Sequence, residues 1–171
     1  MVQFIEEKLF LDEFYYPDAD IMNPLLYNVV TSLPELQRKP GGVTGRMTWR
    51  DLHMHHIPEI DKLLHWIKGV IVQSVGSVYQ TLELNPQIKE LWGVYYEEGT
   101  GITRHHHLPY THTFVYYVNA PEGSSPLVFT TSGHQLEPEA GKLVVFDSRL
   151  MHECPLNMAR GRCIVSGNFV T

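Results

Sequence analysis

Three histidines in the second half of the chain have the type and the spacing of a metal site. His105 and His107 are separated by one residue within a predicted strand, and His152 follows in a later segment. Side chains two residues apart in a β-strand point to the same face, so the imidazoles of His105 and His107 can converge while that of His106 faces away. Imidazole is the commonest metal ligand among side chains. Three protein ligands on one face leave coordination positions open, as the facial arrangement at non-haem Fe(II) requires.

A second chemical signal lies downstream of these histidines. The segment from Gly141 to His152 is interpreted as a buried strand that ends in a histidine at its rim. Arg162 then opens the last predicted strand, and the alternation of that strand places Arg162, Ile164 and Ser166 on one face. A guanidinium can hold a carboxylate through two parallel hydrogen bonds, and the Ser166 hydroxyl can add to the same contact.

Each of these residue types also has an ordinary structural explanation. Three consecutive histidines, taken alone, more often form a solvated surface patch, and a lone arginine more often forms a surface ion pair. Tyrosines in strands are first of all packing residues. The strand context, together with the spacing of His152 and Arg162, favours the functional interpretation.

The remaining histidines and one cysteine are interpreted without a chemical role. His53, His55 and His56 precede a predicted helix and are taken as a polar connector in preference to a second metal site. His112 is expected at the surface of a loop, with the mouth of the pocket as the alternative. Cys154 stands close to His152 and is expected to be a small buried residue.

The elements that must position these side chains divide the chain into two halves. Residues 1–88 form a mixed segment, and its strongest feature is a helix with apolar residues at three- and four-residue steps. Gly and Pro residues also predict a loop between the helices of this segment. The predicted elements are a strand from Phe4 to Phe14, a helix from Ala19 to Leu33, a loop from Gln37 to Gly45 and a helix from Pro58 to Leu82.

Residues 89–171 consist of short apolar runs rich in Val, Tyr, Phe and Ile, separated by Gly, Pro and Ser, which is typical of strands and turns. Short antiparallel strands with covering helices predict an α+β fold dominated by a double-stranded β-helix, a cupin-like jelly-roll barrel, with the N-terminal helices packed on one sheet. We expect one domain over 1–171. The predicted strands are Trp92 to Glu97, Ile102 to His107, Thr113 to Val118, Leu127 to Thr130, Gly141 to Phe146 and Arg162 to Val170.

Composition narrows the possible partners. The chain has 171 residues, a net charge of −6 and no basic stripe, so we do not expect it to bind nucleic acid. No apolar run is long enough to cross a membrane, and acidic residues near the N-terminus are not those of a secretory signal. These features predict a cytoplasmic protein. Its two cysteines, Cys154 and Cys163, are expected to be free thiols.

A series of motifs between Trp92 and Phe169 resembles the core of a known family. In spacing and order they are similar to those of the 2-oxoglutarate- and Fe(II)-dependent dioxygenases, in particular a group of oxygenases from bacteria and phages, and more distantly the prolyl-hydroxylase branch. The motifs are Trp92 with Tyr95, Gly99 to His107, Val115 to Asn119, Gly141 to Phe146, His152 and Arg162 to Ser166.

The resemblance implies specific roles. His105 and His152 would bind Fe(II), dioxygen would be the oxidant, and Arg162 would hold the distal carboxylate of the cosubstrate 2-oxoglutarate. The cosubstrate pocket would further be lined by Ser166, Tyr95 and Tyr117. His107 departs from the family pattern, since most members have Asp or Glu there. A neutral ligand leaves the site one charge more positive, yet imidazole suits Fe, Zn, Cu and Ni alike.

Three functions follow as hypotheses. The first is a 2-oxoglutarate-dependent hydroxylase in which the metal centre supplies the chemistry and no other residue is catalytic. The second is a cupin-type metalloenzyme that uses three histidines without 2-oxoglutarate, and the third is a noncatalytic metal-binding module. The sequence names neither a substrate, which can be a small molecule or a protein side chain, nor an oligomeric state.

Overall fold

The structure of the protein is a computed structural model that describes residues 9–40, 42–79 and 84–171. Residues 4–8 of the predicted first strand and 80–82 of the predicted long helix lie outside this range. The helices are α1 (Ala19–Ser32) and α2 (Pro58–Tyr79), and Leu52–Met54 forms a short 3₁₀ turn between them. The strands are β1 (Leu11–Tyr15), β2 (Arg46–Met47), β3 (Gln87–Tyr96), β4 (Ile102–His105), β5 (His112–Asn119), β6 (Leu127–Phe129), β7 (His134–Leu136), β8 (Lys142–Asp147), β9 (His152–Cys154) and β10 (Arg162–Val170).

These strands form two antiparallel sheets. The larger sheet has six strands in the order β1-β8-β5-β10-β3-β2, and the smaller has four in the order β4-β9-β6-β7. In the larger sheet β10 lies between β5 and β3, with Ser166 opposite both Val115 and Trp92. Because side chains opposite each other in a sheet share a face, this register aligns the functional residues of β10 with those of β3 and β5.

Helices cover one face of the larger sheet and form the first core with it. Ile60, Leu63, Ile67, Ile71 and Val75 of α2 are fully buried, as their helical spacing predicted. Helix α1 approaches the sheet closely at a glycine. A Cβ at Gly93 would lie 2.7 Å from a methyl carbon of Val30, so this position requires glycine for the helix to dock.

The other face of the larger sheet meets the smaller sheet across a second core. Trp92, Val94 and Tyr96 of β3 point into it, and Leu127 and Phe129 of β6 meet them from the smaller sheet. Strand alternation explains the division, since Leu91 of the same strand belongs to the first core. The chain thus has two cores on opposite faces of one sheet.

Several predicted boundaries were wrong. The strand predicted to end at His107 ends at His105, and the strand predicted from Gly141 ends at Asp147. His152 does not end that strand. It begins β9 after a turn over residues 148–151. Strands β2, β7 and β9 were not predicted, because their two or three residues show neither alternation nor an apolar run.

Two further expectations concern the whole chain. Cys154 and Cys163 are free and buried, which confirms the prediction of free thiols. No helix in the described residues combines the length and the apolar character needed to span a membrane.

Candidate metal centre

The structure brings the three predicted histidines together at the end of the smaller sheet. His105 ends β4, His152 begins β9, and the two residues are direct partners in the antiparallel pair. His107 lies beyond β4, where its backbone N–H donates a 2.9 Å hydrogen bond to the Ser148 carbonyl oxygen. One potential ligand atom from each of the three side chains lies within 4.8 Å of the others. No other cluster of this kind occurs among the described residues.

Backbone carbonyls orient two of the three rings. Nδ1 of His105 lies 2.8 Å from the Thr103 carbonyl oxygen, and Nδ1 of His152 lies 2.8 Å from that of Leu150. A carbonyl can only accept, so each Nδ1 carries the proton and each Nε2 keeps its lone pair. This is the usual way in which a metal-binding histidine is held in one tautomer. The His107 ring stacks on Trp92, with centroids 5.8 Å apart.

His152 is buried and His105 and His107 are half-buried, and this burial keeps the three rings neutral. It lowers the pKa of His107 to about 2, with His152 and His105 adding repulsion. It also lowers the pKa of His152 to about 4 and shifts the pKa of His105 downward. Neutral imidazole is the form that binds a metal ion, so protons compete weakly for this site.

Arg162 lies in the same cavity as the histidines. Its side chain is 1% exposed, and its Cζ atom lies 4.5 Å from the ring centroid of Tyr96 and 5.5 Å from that of Tyr117. Its Nη1 donates to the Cys154 thiol, which is a weak acceptor. The Nε of Arg162 and the hydroxyl of Tyr117 are buried without a hydrogen-bond partner in the described part of the chain.

No carboxylate forms an ion pair with the Arg162 guanidinium within residues 9–40, 42–79 and 84–171. The arginines that do pair with carboxylates there are Arg46, Arg50, Arg149 and Arg160. A buried and unpaired guanidinium costs several kcal/mol, and an anion at this position would offset that cost. Burial raises the pKa of Tyr117, so its hydroxyl stays protonated and can donate to such an anion.

The cavity that joins the two groups is narrow, at about 40 Å³. Ser166 lies on its wall and donates a 2.7 Å hydrogen bond to the Phe114 carbonyl oxygen, which leaves its oxygen lone pairs free to accept. The wall is formed by Trp92, Tyr96, Ile102, His105, His107, Val115, Leu127, His152, Glu153, Cys154, Arg162, Ile164 and Ser166.

Comparison with known proteins identifies the fold. No protein-family model and no curated protein matches the sequence. Among solved structures, a viral collagen prolyl hydroxylase from Paramecium bursaria Chlorella virus-1, in complex with 2-oxoglutarate, is 16% identical with a TM-score of 0.70, over 93% of this chain and 94% of that chain. This chain has the fold of the 2-oxoglutarate- and Fe(II)-dependent oxygenases.

Other structures with this oxygenase fold agree. A prolyl-4-hydroxylase from Pseudomonas putida is 21% identical with a TM-score of 0.67, over 94% of this chain and 91% of that chain. HygX from Streptomyces hygroscopicus, with nickel and 2-oxoglutarate bound, is 12% identical with a TM-score of 0.62, over 92% and 82%. The prolyl-hydroxylase-like core expected from the sequence is therefore confirmed at the level of the fold.

Within this oxygenase fold, the structure corrects the position predicted for Tyr95. That side chain lies on the helix-covered face of β3, with its ring centroid 6.1 Å from that of Tyr27. Its neighbour Tyr96 points into the cavity and lies over Arg162 instead. Alternation from Trp92 contained this signal, because Trp92, Val94 and Tyr96 must share a face. Tyr117, in contrast, lies beside Arg162, and its role in holding the cosubstrate stays a prediction.

Two other histidine predictions have different outcomes. His112 is not at a loop surface: it is 3% exposed at the start of β5, where its ring packs edge-on against Phe10 at 5.7 Å. The His55 ring stacks on Trp49, and its Nε2 lies 3.3 Å from Oδ1 of Asp51 in the segment before α2. Sequence reasoning did not assign a role to Cys154 beside Arg162, because its contact joins β9 to β10 across the fold.

Proposed function

We propose that this protein is an Fe(II)- and 2-oxoglutarate-dependent dioxygenase that hydroxylates an organic substrate. One observation carries the proposal: a single cavity has three neutral histidines at one end and a buried arginine without a carboxylate partner among the described residues at the other. 2-Oxoglutarate has a 2-oxo acid end that can chelate a metal and a distal carboxylate that needs a cation. The two ends of the cavity match the two ends of this molecule.

The donor set fits a divalent first-row metal. His105, His107 and His152 would hold Fe(II) through ring nitrogens, which suit iron in a site that keeps further positions open. The carbonyls of Thr103 and Leu150 hold two of the rings before any metal arrives. With His107 in place of a carboxylate, none of the three protein ligands carries a negative charge, and the cosubstrate carboxylate at the metal would supply one.

The deep end of the cavity fits a carboxylate. Arg162 would form a charge-assisted pair with it, and a carboxylate is a far stronger acceptor than the Cys154 thiol that Arg162 contacts in its absence. Tyr117 would donate its hydroxyl hydrogen, and Tyr96 would cover the guanidinium. Ser166 lies on the wall between Arg162 and the histidines.

When Fe(II), 2-oxoglutarate and dioxygen are bound, together they supply oxidation of a substrate C–H bond coupled to oxidative decarboxylation of 2-oxoglutarate to succinate and carbon dioxide. The protein positions the metal and the cosubstrate. Trp92 and Phe146 pack around the histidine rings and keep water from the centre.

The proposal also covers the fold, the domain organisation, the substrate and the location of the protein. The two sheets would form the double-stranded β-helix of this fold, and 1–171 would be one domain, with 1–88 covering the core formed by 89–171. The substrate would be a small molecule or a protein side chain. A cytoplasmic location stays a prediction.

Anaerobic calorimetry tests the proposed function. We expect 2-oxoglutarate to bind protein loaded with Fe(II) or Mn(II), and binding to be lost both without metal and in Arg162→Met. Arg160→Met is the matched control, because Arg160 lies two residues away at the surface and should leave binding unchanged. Metal binding without any 2-oxoglutarate binding would overturn the proposal in favour of a cupin-type metalloenzyme or a noncatalytic module.

A further inference from the structure

A second cavity also reaches the histidines, and Arg162 is not among the residues that line it. It has a volume of about 200 Å³ and is lined by the consecutive histidines 105–107 together with residues from β2, β3 and β4. Its walls are apolar where Val43, Met47, Trp92 and Ile102 contribute side chains. We call it the outer groove. Because it opens directly beside the candidate metal ligands, a molecule within it would lie next to the reacting centre.

Among the described residues that line the outer groove, Arg50 carries the one permanent charge. Its Nη2 is paired with Glu90, and its Cζ atom lies 5.3 Å from the ring centroid of Trp92. Its Nε is buried without a hydrogen-bond partner in the described part of the chain. A guanidinium has five N–H donors, so the pair with Glu90 does not use its full capacity.

A chain of partly buried polar contacts holds the Arg50 side chain. Asn168 donates a 2.8 Å hydrogen bond to Oε2 of Glu90, the atom that also pairs with Arg50. Asn168 in turn accepts a 2.9 Å hydrogen bond from Thr113. Arg50 is therefore held from the sheet, with little ordering of its side chain left for a ligand to bring about.

Charge decides which molecules the outer groove accepts. None of its described lining residues is acidic, and the carboxylate nearest to Arg50 belongs to Glu90, which is already paired. An ammonium group would meet histidines and an arginine with no counter-charge. A carboxylate would meet a preorganised guanidinium, and an apolar body would meet Trp92, Met47 and Ile102.

We propose that the substrate is a small organic acid, with its carboxylate held by Arg50 and its apolar body against Trp92 beside the metal histidines. The inference rests on the proposed function for the reaction, but the binding preference stands on the outer groove alone. It assigns Arg50 as a specificity-determining residue and Glu90 as the residue that positions it.

Binding of matched probes tests this assignment without turnover. Anaerobic protein loaded with Mn(II) and 2-oxoglutarate is titrated with phenylacetate, phenylacetamide and 2-phenylethylamine, followed by the same acid, amide and amine series with a cyclohexyl body. Paramagnetic broadening of the probe protons reports whether a probe lies near the metal. We expect the acids to broaden and bind at least about tenfold more tightly than the amides, with no binding of the amines.

Arg50→Met should remove the preference for the acids, and Arg50→Lys should keep part of it, because a lysine keeps the charge but loses the planar fork. Arg46→Met is the matched control, since Arg46 lies on β2 and pairs with Glu35 outside the outer groove. Binding of Mn(II) and 2-oxoglutarate in each variant shows that it is folded. If Arg50→Met is not folded, Arg50→Lys and Glu90→Gln carry the test, and both should weaken binding of the acids.

The outcomes separate the two proposals. If 2-oxoglutarate binds but acids show no Arg50-dependent preference, or if amides bind as well as acids, the substrate assignment is wrong and the proposed function stands. If 2-oxoglutarate does not bind the native metal-loaded protein, the acids are titrated into metal-loaded Arg162→Met instead. Acid binding that still depends on Arg50 would then show that the outer groove is an acid site, while the proposed function would be wrong. Absence of binding by every acid overturns the assignment.

Discussion

The two faces of the larger sheet are built from the same strands but have opposite chemical character. On the helix side, Leu91, Phe114 and Val165 pack against α1 and α2 in a core that is almost wholly apolar. On the other side, alternate residues of the same strands include the buried Arg162 and Ser166, which face the histidines. The comparison shows how stability and function divide in this fold. One face buries apolar area, and the other buries polar groups whose partners would be ligands.

The largest expected effect is on the helix side. Ile67 is fully buried between α2 and the sheet, so Ile67→Ala should lower the free energy of unfolding by about 2–5 kcal/mol through lost burial and the cavity left behind. Chemical denaturation measures the loss. Metal affinity of the folded protein should not change, since the site is on the other face. A large change in metal affinity would show that the two faces are not independent.

A second effect is a loss of stability in acid, and it comes from the cavity side. Burial holds the pKa of folded His152 at about 4, below its ordinary value of about 6.5 in an unfolded chain. The folded state therefore binds fewer protons, and metal-free protein should lose stability as the pH falls from about 6.5 towards 4. Unfolding measured at several pH values should show a shallower slope in His152→Asn, which cannot take up this proton. An unchanged slope would contradict the assignment.

Arg162→Met should have the opposite sign from Ile67→Ala. It removes a buried guanidinium that pairs with no carboxylate among the described residues, and the cation–π contacts with Tyr96 and Tyr117 offset only part of its burial cost. We expect ligand-free protein to gain about 1–2 kcal/mol of stability. Adding 2-oxoglutarate to metal-loaded protein should stabilise only the native chain, since Arg162→Met keeps the metal-binding histidines but lacks the cation for the cosubstrate. Thermal unfolding with and without ligands measures both effects. Destabilisation of the ligand-free variant would contradict the inference that the buried guanidinium of Arg162 is unfavourable without a bound anion.

The smallest effect compares two tyrosines on opposite faces. Tyr117→Phe removes a buried hydroxyl beside Arg162, so affinity for 2-oxoglutarate should fall by about tenfold. Tyr95→Phe removes a hydroxyl on the helix-covered face and should change that affinity by less than about twofold. Calorimetric titration of metal-loaded protein measures both. Equal effects would mean that the cavity does not hold the cosubstrate as proposed.

Much of the fold could be predicted because its signals are local. Helix α2 carries six buried residues at helical spacing, and the longer strands are apolar runs between turn signals. Order and spacing also indicated that His105, His107, His152 and Arg162 could form a site, and the family resemblance implied their roles toward Fe(II) and 2-oxoglutarate. These are properties of short segments, and a sequence displays them directly.

Other features depended on pairing between distant segments. Alternation places Tyr95 and Tyr96 on opposite faces of β3, and a one-residue shift in register would exchange them. Only the pairing of β3 with β10 decides which tyrosine contacts Arg162. His152 reaches His105 because a turn carries it into β9, a strand too short to predict.

The sequence by itself determined the class of fold, the free thiols and a set of residues able to bind a metal and a carboxylate, since type and spacing are local. Only the tertiary structure decided that these residues line one cavity, that Tyr96 and Cys154 belong to it, and that Arg50 lines a second cavity beside the histidines. Arg50 is distant in sequence from the three histidines and from Arg162. Its position follows from the pairing of β2 with β3, which no local pattern specifies.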